Sequence, residues 1–284
     1  MNTDKNNLRL AVLIDADNTF KVIDIIDELF EEISKFGDAS VRRIYGDWTQ
    51  NQLSRWKEVL PKHAIQPIQQ YANTKGKNST DSALIIDAMD LLYTAPLDGF
   101  CIVSSDSDFT RLAIRLRESG KLVYGFGEQK TPESLRAACN QFIYLEILSQ
   151  QKLAGAENLK EHVSSDLTEK SKSINELKPN QIATNVANNG STTENSALNP
   201  VIKKTSQQLK SDTKLVSLFR TAIDSLSDDD GYANNSEIKK HILKNYSAFD
   251  SRNYGYAKFS DLVKAIGLFD QDAKNQRIKD VRKK

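Results

Sequence analysis

Two short apolar runs that each stop abruptly in acids constrain this chain more than any other feature. Leu10-Ala-Val-Leu-Ile-Asp15-Ala-Asp17-Asn18 is the first, and Phe100-Cys-Ile-Val-Ser-Ser-Asp106-Ser-Asp108 is the second. Runs of this length without alternation suit strands buried on both faces, which belong to parallel sheets covered by helices. Helical patterns separate the runs. Phe20, Ile23, Ile26, Phe30 and Ile33 repeat every three or four residues before Gly37, and a helix capped by Ser79 or Thr80 runs to about Tyr93. Further strands are expected over 39–45, 64–69, 100–104, 122–126 and 142–148. Helices are expected over 53–60, stopped by Pro61, and over 109–119. The β-α-β-α order predicts an α/β domain, a mostly parallel sheet with helices on both faces.

That domain fills residues 1–150. Residues 151–210 are rich in Asn, Ser, Thr, Gln and Lys and contain no Trp, Tyr or Phe, which predicts a flexible linker. Apolar periodicity returns in 211–284. Leu215, Leu218, Phe219, Ala222, Ile223 and Leu226 form one helical stripe, Ile238, Ile242 and Leu243 a second, and Phe259, Leu262, Val263 and Ile266 a third. Three helices and a closing hairpin predict a small winged-helix domain. The first 150 residues hold 17 Lys and Arg against 21 Asp and Glu, so the net charge of −4 sits where the acids are. The tail Arg277-Ile-Lys-Asp-Val-Arg-Lys-Lys284 is basic, either a solvated terminus or a contact for a polyanion.

Other chemistries find little support. No run approaches the ~20 apolar residues of a membrane helix. The polar start Met1-Asn-Thr-Asp-Lys-Asn-Asn lacks a signal peptide's apolar stretch, so a cytosolic, cytoplasmic protein is expected. Cys101 and Cys139 are too few for a disulfide framework or a cysteine zinc site. His63, His162 and His241 lack ligand spacing, and neither GxxxxGK[ST] nor GxGxxG occurs. Gly125-Phe-Gly127 reads as a turn.

Strand-end acids in an open α/β sheet gather beyond the carboxyl edge, where ligands bind. Asp15 and Asp106 follow strands directly, and Asn18, Asp108 and Asp81 lie near helix starts at the same edge. Oxygen ligands of this kind suit Mg²⁺ or Mn²⁺ and metal-assisted phosphodiester hydrolysis, with Asp108 placed to orient or deprotonate water. Any one such acid is also explained as a helix cap. Asp17, Asp87 and Asp90 are set aside, the latter two as solvated, and Asp24, Asp27, Glu28, Glu31 and Glu32 read as an exposed helix face. Lys75 and Lys77 flank Gly76 in a loop that suits a phosphate or is simply basic.

The stretches Leu13-Ile-Asp15-Ala-Asp17-Asn18, Lys77-Asn-Ser-Thr-Asp81 through Asp90, and Val103-Ser-Ser-Asp106-Ser-Asp108-Phe109 with Gly120-Lys-Leu-Val-Tyr-Gly125 resemble the NYN domain. That domain belongs to the PIN-like nuclease superfamily and includes the LabA-like group. The resemblance covers residues 8–148 and implies a Rossmann-like, PIN-type sheet and a divalent-metal ribonuclease site. Asp15, Asp81, Asp106 and Asp108 match the metal-binding acids and Asn18 the asparagine after the first strand. The segment Phe249-Asp-Ser-Arg-Asn-Tyr254-Gly-Tyr256-Ala-Lys258-Phe-Ser-Asp-Leu-Val263 resembles the OST-HTH, or LOTUS, domain. That resemblance implies binding of RNA or, in some animal members, of protein. Tyr254, Tyr256 and Lys258 suit single-stranded RNA, although the two tyrosines equally suit packing on the third helix. The expectation is a metal-dependent RNA endonuclease with a tethered RNA-binding domain. A non-catalytic RNA-binding adaptor on the same fold is the alternative, with a homo-oligomer and a protein partner left open.

Overall fold

The computed structural model describes residues 8–71, 79–153, 201–274 and 276–282. Most of the expected linker, residues 154–200, lies outside the described residues. Strands β1 (Arg9–Asp15), β2 (Asp38–Gly46), β3 (Gln66–Gln69), β4 (Gly99–Val103), β5 (Leu122–Gly127) and β6 (Gln141–Tyr144) form one six-stranded sheet in the order β3-β2-β1-β4-β5-β6. Every pairing is parallel. From β1 the chain builds outward through β2 and β3, then returns to lay β4 on the other side of β1. The strand order therefore reverses between β1 and β4, which places the ligand-binding crevice of such sheets at their carboxyl ends.

Pleating sorts the apolar residues. Ala11, Leu13, Phe100 and Ile102 enter one core with helices α3 (Ser79–Thr94), α4 (Thr110–Glu118) and α5 (Glu133–Ala138). Leu10, Val12, Ile14, Cys101 and Val103 enter the other with α1 (Ile26–Ser34) and α2 (Trp56–Lys62). Helix α6, over 145–153, follows β6 directly, with Ile147 in the first core and Leu145 and Leu148 in the second. Among the described residues no helix is long and apolar enough to cross a membrane.

Several local expectations change. The predicted strand 142–148 is a strand only to Tyr144, and α6 takes the rest. A short apolar run carries no periodicity to tell a buried strand from a buried helix. Residues 20–25 form a 3₁₀ turn before α1, and Pro61 lies inside α2 instead of ending it before that residue. Gly125 and Gly127 are strand residues, not a turn: a Cβ on Gly125 would collide with the Phe142 ring.

The described residues resume at Val201, which packs in the core beside α3, α4 and α5, and the C-terminal unit follows. Helix α7 (Ser206–Ser211) is started by a capping box between Thr205 and Gln208, and its Leu209 is wholly buried. Helices α8 (Thr213–Leu226), α9 (Asn235–Asn245) and α10 (Phe259–Ile266) surround Phe219, which packs against Phe249, Phe259 and Phe269. Strands β7 (Ala233–Asn234), β8 (Phe269–Gln271) and β9 (Arg277–Asp280) form an antiparallel sheet in the order β7-β9-β8, completing a winged helix. The basic tail is thus a strand over 277–280, with Ile278 and Asp280 buried and Asp280 held by Arg282 and Arg220.

The two units are in contact. The Phe142 amide of β6 donates to the Ser247 carbonyl at 3.0 Å. Ser247 Oγ donates to the Arg136 carbonyl, and Gln150 Nε2 donates to the Val201 carbonyl at 2.9 Å. Arg252 grips Glu32 of α1 with both terminal nitrogens, at 2.9 and 2.7 Å, while Asp250 accepts from the same guanidinium. Glu32 is therefore not part of an exposed helix face: it is 3% exposed. Burial acts to raise its carboxyl, but the Arg252 and Lys35 hydrogen bonds and charges prevail and hold it below its ordinary value.

Candidate metal centre

Strand parity aims the first acid. Asp15 follows Ala11 and Leu13 on the face covered by α3, so it points toward the first turn of that helix, where Asp81 lies. Asp15 is 1% exposed. Its Oδ2 accepts from Ser104 Oγ and from Asn18 Nδ2, both at 2.8 Å. Its Oδ1 is buried with no hydrogen-bond partner. Burial raises the Asp15 carboxyl, the Asn18 and Ser104 bonds oppose this, and the Asp17 charge adds to the rise.

β4 delivers the other acids. Ser104, the first residue past that strand, donates to Asp15 and accepts from the Asp106 amide at 3.1 Å, tying the two strand ends together. Asp106 caps the 3₁₀ turn Ser107–Phe109, its Oδ1 accepting from the Asp108 amide at 2.9 Å. Capping is thus true of Asp106, and it leaves the carboxylate facing its neighbours. One ligand oxygen each from Asp81, Asp106 and Asp108 lies within 4.8 Å of the others. The consequence is electrostatic. Burial pushes the Asp81 carboxyl up to about 7, helped by the charges of Asp15, Asp106, Asp108 and Asp17.

The surroundings extend the cluster. Asp17 Oδ2 accepts from Thr80 Oγ1 at 3.0 Å, so this acid, set aside from the sequence, is fixed to the first turn of α3. Burial raises it, and Asp47 contributes repulsion. Asp47 follows β2 and is held by Thr49 and by Gln69 Nε2. Sequence reasoning missed Asp47 and Ser104, although each stands immediately after a strand. Asp87 is not solvated: it accepts from Arg43 and from the Tyr45 hydroxyl, bracing α3 against β2.

The proposed RNA contacts are placed unevenly. Lys75 and Lys77 lie outside the described residues. The half-buried Tyr254 and Tyr256 pack against the segment before α7. Lys204 Nζ stands 4.9 Å from the Tyr254 ring, Lys203 Nζ 4.9 Å from the Tyr256 ring, and Tyr256 Oη donates to the Lys204 carbonyl at 2.8 Å. Gly255 between them has φ of 81° and lies so close to Lys203 that a Cβ would collide with its backbone. Lys258 is exposed at the start of α10.

The donor set at the sheet edge fits a hard divalent cation. It consists of carboxylate oxygens, one of them buried and without a partner, and no thiolate or imidazole is among them. Asp81, Asp106 and Asp108, with Asp15 behind them, would hold Mg²⁺ or Mn²⁺.

Residues 9–146 match the family model of the NYN domain, and residues 207–274 match that of the OST-HTH/LOTUS domain. An uncharacterized protein of Methanocaldococcus jannaschii, MJ0482, is 27% identical over 128 residues, which are 44% of this chain and 50% of that protein. The chain thus spans about half the length of this curated relative. A Vibrio parahaemolyticus protein of unknown function, VPA0982, has a crystal structure similar at a TM-score of 0.42 and 16% identity, over 51% of this chain and 96% of that one. NYN domains belong to the ribonuclease-like PIN superfamily, and OST-HTH/LOTUS domains indicate RNA binding. With both matches falling on the two units the structure describes, this chain is an NYN-domain protein whose C-terminal unit is an OST-HTH/LOTUS domain.

Proposed function

We propose that the chain is a divalent-cation-dependent endoribonuclease acting on single-stranded RNA, with the OST-HTH/LOTUS unit contributing to RNA binding. The observation that carries this reading is the convergence of Asp81, Asp106 and Asp108 beside the unpartnered Oδ1 of Asp15. A bound Mg²⁺ or Mn²⁺ supplies Lewis acidity toward a phosphoryl oxygen and lowers the pKa of water. The remaining work falls to the chain. Asn18 and Ser104 hold Asp15 in one orientation. Asp108, the most exposed of the three clustered acids, takes the proton of the water that attacks phosphorus. Lys258, exposed at the start of α10, contributes charge toward the RNA backbone, and Lys75, Lys77, Tyr254 and Tyr256 are the further RNA contacts the sequence offers.

The test is cleavage of an RNA panel with Mg²⁺ or Mn²⁺, with and without EDTA, by the native chain and by Asp106→Asn. Cleavage that requires the cation and falls at least ~100-fold in a folded Asp106→Asn protein is expected. Undiminished cleavage by that variant would overturn the assignment. Binding of RNA without cleavage under any cation would favour an adaptor.

A further inference from the structure

The docked units enclose a cleft of about 410 Å³ that neither unit forms alone. One wall is the end of α4 and the flank of α5, contributing Arg117 and Arg136. The other is the last turns of α9, contributing Lys240 and Lys244. Among the described residues no carboxylate pairs with any of these four cations. The single acid in the lining, Glu133, already has Lys214 Nζ at 3.9 Å. Lys240 and Lys244 are four residues apart on one helix face, a spacing at which like charges repel.

Arg136 sharpens the picture. Its guanidinium is fixed by the Tyr144 hydroxyl at 2.6 Å, and its Nε is buried with no partner. Its own backbone carbonyl accepts from Ser247 of the other unit, so the residue sits at the contact that closes the cleft. Cations drawn together from two units, without acids to balance them, are stabilised by a bound polyanion.

We propose that this cleft is a second RNA-binding site, taking the phosphodiester backbone of single-stranded RNA at a distance from the acids. The inference rests on RNA being the substrate. The cleft runs along α5 toward the edge where β5 and β6 begin, whereas the acids follow the strand ends. An RNA touching both sites spans roughly 20 Å, the length of the strands. Short RNAs therefore miss the second site.

Binding of fluorescein-labelled oligouridylate to the full chain, measured by anisotropy in EDTA over a series of salt concentrations, tests the proposal. Lys240→Ala/Lys244→Ala is expected to weaken binding about tenfold and to flatten the salt slope by about 0.7 for each phosphate no longer neutralised. Arg117→Ala, from the other unit, is expected to weaken it several-fold, while Lys57→Ala/Lys62→Ala, with the same charge loss on α2, leaves it unchanged. If the native chain binds and all variants bind equally, the cleft is overturned while the RNA reading stands. If the lysines matter and Arg117 does not, RNA binding belongs to the C-terminal unit alone and the shared cleft is overturned. If the native chain binds no RNA, the RNA reading itself fails and the cleft falls with it.

Discussion

Two groups of carboxylates lie in this molecule under opposite electrostatic conditions. At the seam between the units, Glu32 and Asp250 share the Arg252 guanidinium, and Glu32 is held below its ordinary value. At the sheet edge, Asp15, Asp81, Asp106 and Asp108 face one another, and Asp81 is pushed up to about 7. The seam supplies its own counter-charge and is complete as folded. At the edge the charges that act on Asp81 are all acids, so its repulsion is relieved by protonation or by a cation. Acids in the first group tie the two units together, and acids in the second carry a repulsion that a bound cation would relieve.

Removing the seam's counter-charge should have the largest effect. Arg252→Ala leaves Glu32 buried without its main partner, at a cost of about 3–5 kcal/mol. The expected signs are a lowered Tm, faster hydrogen exchange at the Phe142 amide and a larger radius of gyration by X-ray scattering. Unchanged values for all three would remove the contrast. Next is the cation itself. Mg²⁺ or Mn²⁺ at about 100 times its Kd should stabilise the native chain by about 2.7 kcal/mol. Asp106→Asn should lose most of that gain, and calorimetric titration checks it. A third, smaller effect has the opposite sign from most substitutions. Asp81→Asn removes a repelled carboxylate, so the cation-free protein should gain about 1 kcal/mol, or roughly 2–4 °C in Tm. Because the native carboxyl is raised from 3.8 to about 7, the gain should be full above pH 7 and fade as pH falls toward 4. A destabilised Asp81→Asn protein at pH 8 would show that the acids are not in conflict.

The smallest effect is the acid limb of the seam. Glu32 is depressed, so its contribution is present above its ordinary value of 4.5 and is lost as pH falls through its lower native value. Exchange protection at Phe142 should therefore survive at pH 5 and weaken only in more acidic solution. Weakening that begins near pH 7 would point to another group.

Much of the edge is legible in the sequence, and little of the seam. Asp15 and Asp106 announce themselves because an apolar run that ends in an acid fixes both the strand and the edge. Asp81 follows from the helix start. Asp87 reads wrongly as solvated because its partners, Arg43 and Tyr45, come from β2, 42 to 44 residues away, and no local pattern records such a pairing. Glu32 looks solvated among Glu28 and Glu31, and only the approach of Arg252, 220 residues later, buries it. Ser104 and Asp47 show nothing but their position after a strand. Local periodicity encodes elements and strand ends. It is silent on which distant side chain meets a given charge.

The hydrogen bond from Phe142 to Ser247 has a consequence for how the protein behaves when cut. β6 is the outermost strand on its side of the sheet, and the C-terminal unit covers it there. At the opposite border, β3 carries Pro67, which cannot donate to an incoming strand. A fragment ending at residue 153 would bare the β6 border, along with the apolar places filled by Val201 and Ala248. An uncovered strand is a template for another chain. The C-terminal unit thus also acts as a guard against self-association, and the NYN unit should be insoluble when expressed without it.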